Sequence, residues 1–188
     1  TNDLTSQTQL VAAVASGASV FISSDIILQR SGEHGAVEIG PNVTDLVING
    51  NGYTIDGNSQ FRCFYIYGNE TEIMITDLRV TACSIACLEG AFGIEDGAKV
   101  TLERVVCIGN TALYGGGIYA YSGASVILVD SVFDGNRAPS SYGGSIYAKD
   151  SRIVARGCKL SNSSSAHGGG AFLFQADFDF EDGIISDN

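Results

Sequence analysis

The chain contains 188 residues, of which 45% are hydrophobic, with 24 glycines, two prolines and no tryptophan. This composition excludes a disordered chain and is typical of one domain built from short strands and tight turns. The formal net charge of −11 argues against a nucleic-acid backbone or an anionic membrane as a partner, because most of the surface would repel either of them. The sequence has no run of 18 apolar residues, so no membrane span is predicted.

The first predicted element is a helix over Leu4–Ser16. Ser6 and Gln9 have the spacing of a capping box, apolar residues share one side of the helix, and a glycine follows its end. An amphipathic helix at the end of a stack of strands hides apolar surface and an unpaired strand edge. We therefore divide the chain into a capping helix, residues 1–18, and a repeat region, residues 19–188.

A polar residue recurs every 26 residues in the repeat region. This predicted ladder consists of Asn58, Ser84, Asn110, Asn136, Asn162 and Asn188. Apolar residues alternate with polar ones before most ladder positions, as at Val100 and Leu102, and this alternation is typical of strands. Repeated strands with no interleaved helix predict a parallel β-helix with about 26 residues per coil. Corner asparagines whose amides bond neighbouring coils would specify the register of stacking.

A second strand in each coil opens with glycine, as in the segments 115–119, 143–147 and 168–172. If Ile118 and Ile146 face inward, the aromatic residues that alternate with the inward positions face outward. This outward set is Tyr65, Tyr67, Tyr119, Tyr121, Tyr147, Phe172 and Phe174. An exposed aromatic stripe can bind sugar rings or a protein partner. The alternative is ordinary cross-strand stacking, or cover by loops or a neighbouring domain.

The five cysteines can be placed on the same repeat. Cys63 with Cys87, and Cys83 with Cys107, fall near one another on adjacent coils and are predicted disulfides. Cys158 falls on an apolar column and is predicted to be a buried free thiol. Two disulfides and one core thiol favour a secreted or cell-surface protein, although five reduced cysteines would suit a cytosolic protein equally well.

Three glycosylation sequons begin at Asn42, Asn69 and Asn162. They are compatible with passage through a secretory pathway and predict surface loops at these positions. Together with the cysteines, they favour an extracellular glycoprotein.

The segment Gly115-Gly116-Gly117-Ile118 and the segment Phe133-Asp134-Gly135-Asn136 carry a family resemblance. They resemble the GG[A/I] and FxxN repeats of polymorphic outer-membrane proteins and related pectate-lyase-like β-helix domains. The resemblance covers about residues 31–188 and implies a single-stranded right-handed parallel β-helix. It also implies a surface-exposed rod used in adhesion or architecture, whereas the wider superfamily includes lyases, hydrolases and epimerases that act on acidic polysaccharides.

The charged residues are interpreted as structural. A set with alternating sign recurs every 26 residues and predicts an ion ladder between coils: Arg104, Asp130, Arg156 and Asp182. The neighbouring acidic column is interrupted by apolar residues, so it does not gather ligands for calcium. His34 and His167 lack a nearby pair of aspartates. The sequence therefore predicts no catalytic residue, no metal site and no cofactor.

The final segment, Phe178–Asn188, reads as the start of another coil without a capping helix. A bare strand edge there predicts a protein partner or further coils. The preferred function is a non-catalytic extracellular or cell-surface module that serves structure or adhesion within a larger protein or assembly, with a glycan on the aromatic stripe as a second candidate partner. The alternative is a polysaccharide lyase, hydrolase or epimerase acting on an acidic polysaccharide.

Overall fold

The computed structural model describes residues 2–29, 37–84 and 90–188. These residues form one short helix and 23 strands, and the strands are arranged in three long sheets and one small sheet. Every strand pair in these sheets is parallel, as in the pairs of β11 with β8 and with β14. The chain passes through the three long sheets in turn and then repeats the circuit. The predicted all-β parallel β-helix is therefore confirmed.

The longest sheet, sheet A, contains eight strands. They are β1 (Asn2–Leu4), β2 (Ser19–Ile22), β5 (Leu46–Asn49), β8 (Glu72–Thr76), β11 (Lys99–Glu103), β14 (Ser125–Val129), β18 (Arg152–Arg156) and β22 (Asp177–Glu181). Sheet B follows sheet A in each coil. Its strands are β3 (Ile26–Ile27), β6 (Thr54–Asp56), β9 (Arg79–Thr81), β12 (Val106–Ile108), β15 (Val132–Asp134), β19 (Lys159–Ser161) and β23 (Ile184–Ser186).

Sheet C opens each coil and carries the glycine strands. Its strands are β4 (Val37–Ile39), β7 (Phe64–Tyr67), β10 (Phe92–Glu95), β13 (Ile118–Tyr121), β17 (Ile146–Lys149) and β21 (Ala171–Phe174). Between sheets B and C, β16 (Arg137–Tyr142) pairs with β20 (Ser164–His167) and forms the small sheet D.

The single helix of the described residues, α1, spans Gln7–Ala13 and is shorter than predicted. Ser6 caps it by accepting a bond from the Gln9 backbone N–H, while the Gln9 side chain accepts a bond of 2.8 Å from the Thr5 backbone N–H. The helix starts late because the preceding residues form β1, which pairs with β2. Leu10 of the helix is fully buried against the apolar core, so α1 closes this end of the stack.

The interior of the stack is apolar, as the strand alternation requires. The sheet C residues that alternate with the outward positions are fully buried, and they include Phe64, Ile66, Ile118, Ala120, Ile146 and Ala148. Stacking between coils is also visible in the core, where the parallel rings of Phe64 and Phe92 lie 5.2 Å apart. Burial of such side chains is the main force that holds the coils together.

Coil length varies along the rod. The aligned residues are 25 positions apart between Ile153 and Phe178, and 28 positions apart between Val20 and Ile48. A count with a fixed period of 26 therefore drifts by one residue in several coils. Because successive strand residues point to opposite sides, a drift of one residue exchanges an inward position for an outward one.

A buried polar ladder runs along the corner between sheets B and C. It consists of the buried residues Cys83, Asn110, Asn136 and Ser163 and ends at Asn188, which is exposed. The backbone N–H of each residue donates to a side-chain oxygen of the next, as from Asn110 to Asn136 Oδ1 at 3.0 Å. The Asn136 amide in turn donates to the Cys107 carbonyl of the preceding coil at 3.0 Å. Each buried asparagine side chain thus satisfies both an N–H and a C=O group of the preceding coil.

Three members of the predicted ladder lie outside it. Ser84 and Asn162 are each displaced by one residue, because Cys83 and Ser163 take their predicted positions. Asn58 is exposed, and its backbone N–H donates to Asp56 Oδ1 at 2.7 Å. Asn162 is exposed and its side chain donates to Asp134 Oδ1 at 2.7 Å. The error follows from the variable coil length, because a fixed count selects the residue beside the buried one.

The glycine pairs and the FxxN segment fit each other across the core. A Cβ atom on Gly117 would lie 2.9 Å from Cδ1 of Phe133, and a Cβ atom on Gly116 would lie 2.7 Å from the Arg137 backbone nitrogen. Both positions therefore need the absence of a side chain. The two motifs are halves of one packing unit, in which the phenylalanine ring and the chain beyond Asn136 occupy the space that the glycines leave.

The predicted disulfide pairings are wrong. Cys63 is bonded to Cys83, with Cα atoms 5.8 Å apart, while Cys107 is a buried free thiol; Cys87 lies outside the described residues. Cys63 directly precedes β7 and Cys83 follows β9, so the bond closes one coil instead of joining two. Cys107 aligns with Val80, not with a cysteine. Closing this loop of 20 residues is worth about 3 kcal/mol in the chain-entropy account.

The predicted burial of Cys158 is confirmed, since its side chain is a free thiol and only 1% exposed. Burial raises the pKa of both free thiols, Cys107 and Cys158. Because the thiolate is the reactive form, both should be unreactive in the folded protein.

Replacing Asn136 by alanine tests the polar ladder. The change removes an acceptor from the Asn110 N–H and a donor from the Cys107 carbonyl, so we expect a loss of about 3 kcal/mol in the free energy of unfolding. Asn162→Ala is the matched control, and it should cost about 1 kcal/mol or less because Asn162 is exposed. Urea titration measures both values, and equal losses would contradict the ladder assignment.

Peptide mapping without reduction tests the cysteine assignment. We expect a linked pair of peptides that contain Cys63 and Cys83. Iodoacetamide at mildly alkaline pH should leave Cys107 and Cys158 unmodified until denaturant is added, because both are buried and have a raised pKa. A Cys83–Cys107 crosslink in the map would show that the assignment is wrong.

Candidate functional site

An aromatic column runs along the outer face of sheet C. Tyr119, Tyr147 and Phe172 occupy aligned positions on β13, β17 and β21, where the neighbouring residues point into the core. The Tyr119 and Tyr147 rings are 5.3 Å apart and 6° from parallel, and the Tyr147 and Phe172 rings are 5.9 Å apart and 2° from parallel. Register within the sheet therefore builds a regular stack of rings.

A second column lies beside the first and comes from the chain just before the glycine strands. Tyr114 and Tyr142 are parallel within 2° at 6.0 Å, and His167 lies 5.0 Å from Tyr142. The columns touch, since Tyr114 is 5.0 Å from Tyr147 and Tyr142 is 4.4 Å from Phe172. We call the combined feature the aromatic surface, which consists of Tyr114, Tyr119, Tyr142, Tyr147, His167 and Phe172.

Sequence reasoning missed the second column, although the sequence carries a signal for it. Each of its members directly precedes a glycine pair. The first glycine of each pair, at positions 115, 143 and 168, has a φ of 55°, 67° and 70°. This left-handed conformation turns the chain into sheet C and leaves the preceding ring beside the sheet. An aromatic residue before a glycine pair thus marks a ring of the second column.

The stacked rings leave part of their faces uncovered. Parallel rings with centroids more than 5 Å apart are displaced sideways, because full overlap would bring the centroids closer. Tyr119 is only 8% exposed, whereas Tyr147 and Phe172 are half-buried and His167 is exposed. The surface therefore presents partial ring faces, ring edges and phenol oxygens to solvent.

The aromatic surface contains no carboxylate or ammonium group. Burial raises the pKa of Tyr147, and the nearby phenols of Tyr114, Tyr121 and Tyr142, together with Asp150, raise it further. The Tyr147 phenol therefore stays uncharged at neutral pH. Phenol groups that remain protonated can both donate and accept hydrogen bonds.

Two other predicted members form a separate group. Tyr65 and Tyr67 stack on each other at 4.9 Å, and Gly93 and Glu95 of the intervening strand separate them from Tyr119 and Tyr121. The guanidinium of Arg62 lies 4.3 Å from the Tyr65 ring centre. The predicted stripe is thus interrupted, and the extended surface covers the last three coils.

Tyr121 and Phe174 lie beside the first column, on the side opposite the second column. The Lys149 ammonium group is between them, 5.3 Å from the Tyr121 ring centre and 5.6 Å from the Phe174 ring centre. Phe174 is 49% exposed. These contacts are cation–π interactions, so these two rings and Lys149 form a mixed column that borders the aromatic surface.

The predicted ion ladder is wrong. Arg104 bonds Asp77 of the preceding coil at 2.6 and 2.8 Å and also bonds Glu103, while Arg156 bonds Glu181 at 3.0 Å. The predicted partners of the arginines, Asp130 and Asp182, are exposed corner residues with left-handed backbone. Arg156 instead ends β18 and aligns with Glu181 on β22. The fixed period of 26 residues had grouped Arg156, which lies in a strand, with Asp130 and Asp182, which lie at corners of the coils.

A groove beside Arg104 contains one carboxylate, Asp77, that could take part in catalysis. It has a volume of about 560 Å³, and Asn49, Asn51, Asp77, Arg79 and Arg104 are among its lining residues. The hydrogen-bonded guanidinium of Arg104 lowers the pKa of Asp77. A carboxylate held in this way is a poor proton acceptor. Among the described residues, no group of three histidine, cysteine or acidic side chains is placed to hold a metal ion.

The three predicted glycosylation residues, Asn42, Asn69 and Asn162, are exposed, and their modification stays a prediction. Within the described ranges, no helix has the length and apolar character needed to cross a membrane.

Comparison with known proteins gives one family match. Residues 130–149 match the Chlamydia polymorphic membrane protein repeat. This segment supplies Asn136 to the polar ladder and both Tyr142 and Tyr147 to the aromatic surface. No curated protein and no solved structure matches the chain. The chain is a parallel β-helix repeat protein in which the segment from the end of β14 to the end of β17 is similar to the Chlamydia polymorphic membrane protein repeat.

Proposed function

We propose that the chain is a non-catalytic structural or adhesive module that is secreted or exposed at the cell surface as part of a larger protein or assembly. The observation that carries this proposal is the aromatic surface, which extends over three successive coils. A contiguous aromatic patch on the outside of a rod is typical of a contact surface, because water solvates it poorly.

Two further observations support an extracellular location. The matched repeat is named for a polymorphic membrane protein of Chlamydia, which supports a module displayed at a surface. The Cys63–Cys83 disulfide fits an oxidising compartment, since cytosolic reductants keep most thiols reduced.

Exposed apolar residues in β21–β23 support a place within a larger assembly. Leu173 is 38% exposed although it aligns with the buried Ala148, and Ile185 is 52% exposed although it aligns with the buried Leu160. Both side chains therefore lie at positions that face the interior of the stack in the preceding coil. We propose that further coils or a protein partner pack against this strand layer, because such packing would bury them.

The structure offers less support for a polysaccharide-cleaving enzyme. Asp77, the carboxylate of the groove in sheets A and B, is bonded to Arg104, and the outward carboxylates Asp179 and Glu181 are bonded to Arg152 and Arg156. A general acid or base must exchange its proton near neutral pH, and ion pairing with arginine stabilises the ionised form instead.

The proposed function is tested on intact cells that carry the chain and on the purified chain. An antibody against the folded chain should bind intact cells, and the purified chain should leave polygalacturonate and alginate without new reducing ends or unsaturated products. Binding that requires permeabilised cells would contradict surface exposure. Release of products that is lost in the Asp77→Asn variant would contradict a non-catalytic module.

A further inference from the structure

We propose that the aromatic surface binds an uncharged, extended glycan that lies parallel to the long axis of the rod. This inference rests on the proposed adhesive function and specifies the ligand. It assigns the binding role to the six residues of the aromatic surface and excludes the separate pair Tyr65 and Tyr67.

The direction of the ligand follows from the arrangement of the rings. Tyr119, Tyr147 and Phe172 succeed one another from coil to coil, so their column runs along the rod axis with the spacing of adjacent strands, about 4.8 Å. The sugar units of an extended β-linked chain repeat at a similar spacing. Each sugar ring could therefore contact one coil.

The chemistry of the surface suits a sugar. The displaced rings offer partial faces on which the C–H groups of a pyranose can pack. The neighbouring column adds the phenols of Tyr114 and Tyr142 and the imidazole of His167, which can bond sugar hydroxyls. Apolar contact bordered by a few polar groups is the usual composition of a ligand site.

The charges favour a neutral ligand. None of the six side chains is an arginine, lysine or carboxylate, and the chain as a whole carries a net charge of −11. An anionic glycan would be repelled by the protein and would lose water without gaining an ion pair. The adjacent Lys149 contacts the rings of Tyr121 and Phe174. The Tyr65 ring lies under the guanidinium of Arg62, which leaves less of its face for a sugar.

Titration of the folded chain with defined hexasaccharides tests the proposal. Cellohexaose, chitohexaose and mannohexaose serve as uncharged probes, and hexagalacturonate serves as the anionic probe. Because the chain has eight tyrosines and no tryptophan, its intrinsic fluorescence reports on tyrosine directly. We expect at least one uncharged probe to bind and hexagalacturonate to bind at least about tenfold more weakly.

Variants locate the binding to the aromatic surface. Tyr147→Ala should weaken binding by about tenfold or more, because Tyr147 contacts rings of both columns. Tyr147→Phe should bind within a few-fold of the original chain if the ring supplies most of the contact. Tyr53→Ala is the control, since Tyr53 is an exposed tyrosine between β5 and β6. Thermal unfolding shows whether each variant is folded, and Tyr142→Ala replaces Tyr147→Ala if that variant is not.

The inference is overturned if no uncharged probe binds at millimolar concentration, if hexagalacturonate binds most tightly, or if the folded Tyr147→Ala or Tyr142→Ala variant binds as tightly as Tyr53→Ala does. These outcomes are separate from a failure of the proposed function. Surface exposure without glycan binding would leave a structural or protein-binding module. Glycan binding by a chain that antibodies reach only inside permeabilised cells would retain the site and overturn the location.

Discussion

The buried polar ladder is the constraint on which the rest of the structure depends. Apolar burial alone would hold parallel coils together in more than one register, because one apolar side chain can replace another. Asn110 and Asn136 are fully buried; their side chains bond the preceding coil, and their backbone N–H groups donate to a side chain of the following coil. A shift of one coil against the next would leave these polar groups unpaired in the interior, at a cost of several kcal/mol.

The aromatic surface is a consequence of this register. Once Asn110 lies over Asn136, the glycine strands that follow them are aligned, and Tyr119 comes next to Tyr147. Gly117 leaves room for the Phe133 ring. The packing unit of the glycine pair and the FxxN segment therefore encloses the ladder and also directs the chain back into sheet C. The residues that stabilise the coil and the residues that could bind a ligand therefore belong to one repeating unit.

The sequence was sufficient for the fold because hydrophobic alternation and the spacing of polar residues report the period of a solenoid directly. The sequence did not identify which residues belong to each column of aligned side chains. Aligned residues of adjacent coils are 25 to 29 positions apart, so a fixed count of 26 selected Asn162 in place of Ser163 and placed Arg156 in a column of corner residues. The disulfide was missed because adjacent coils seemed the natural partners, whereas Cys63 and Cys83 meet where a single coil closes. Half of the aromatic surface was found from strand alternation. The other half precedes the glycine pairs, where Tyr142 and His167 end β16 and β20 and an irregularity in the pairing of these two strands breaks the alternation.

The most direct test of the ladder is detection of its hydrogen bonds by nuclear magnetic resonance. Scalar coupling across a hydrogen bond should connect the backbone nitrogen of Asn110 with the side-chain carbonyl carbon of Asn136. The same coupling should connect Cys83 with Asn110 and Ser163 with Asn188. A spectrum that shows the couplings of the strand backbone and none of these three would contradict the ladder, and with it the register that aligns the aromatic surface.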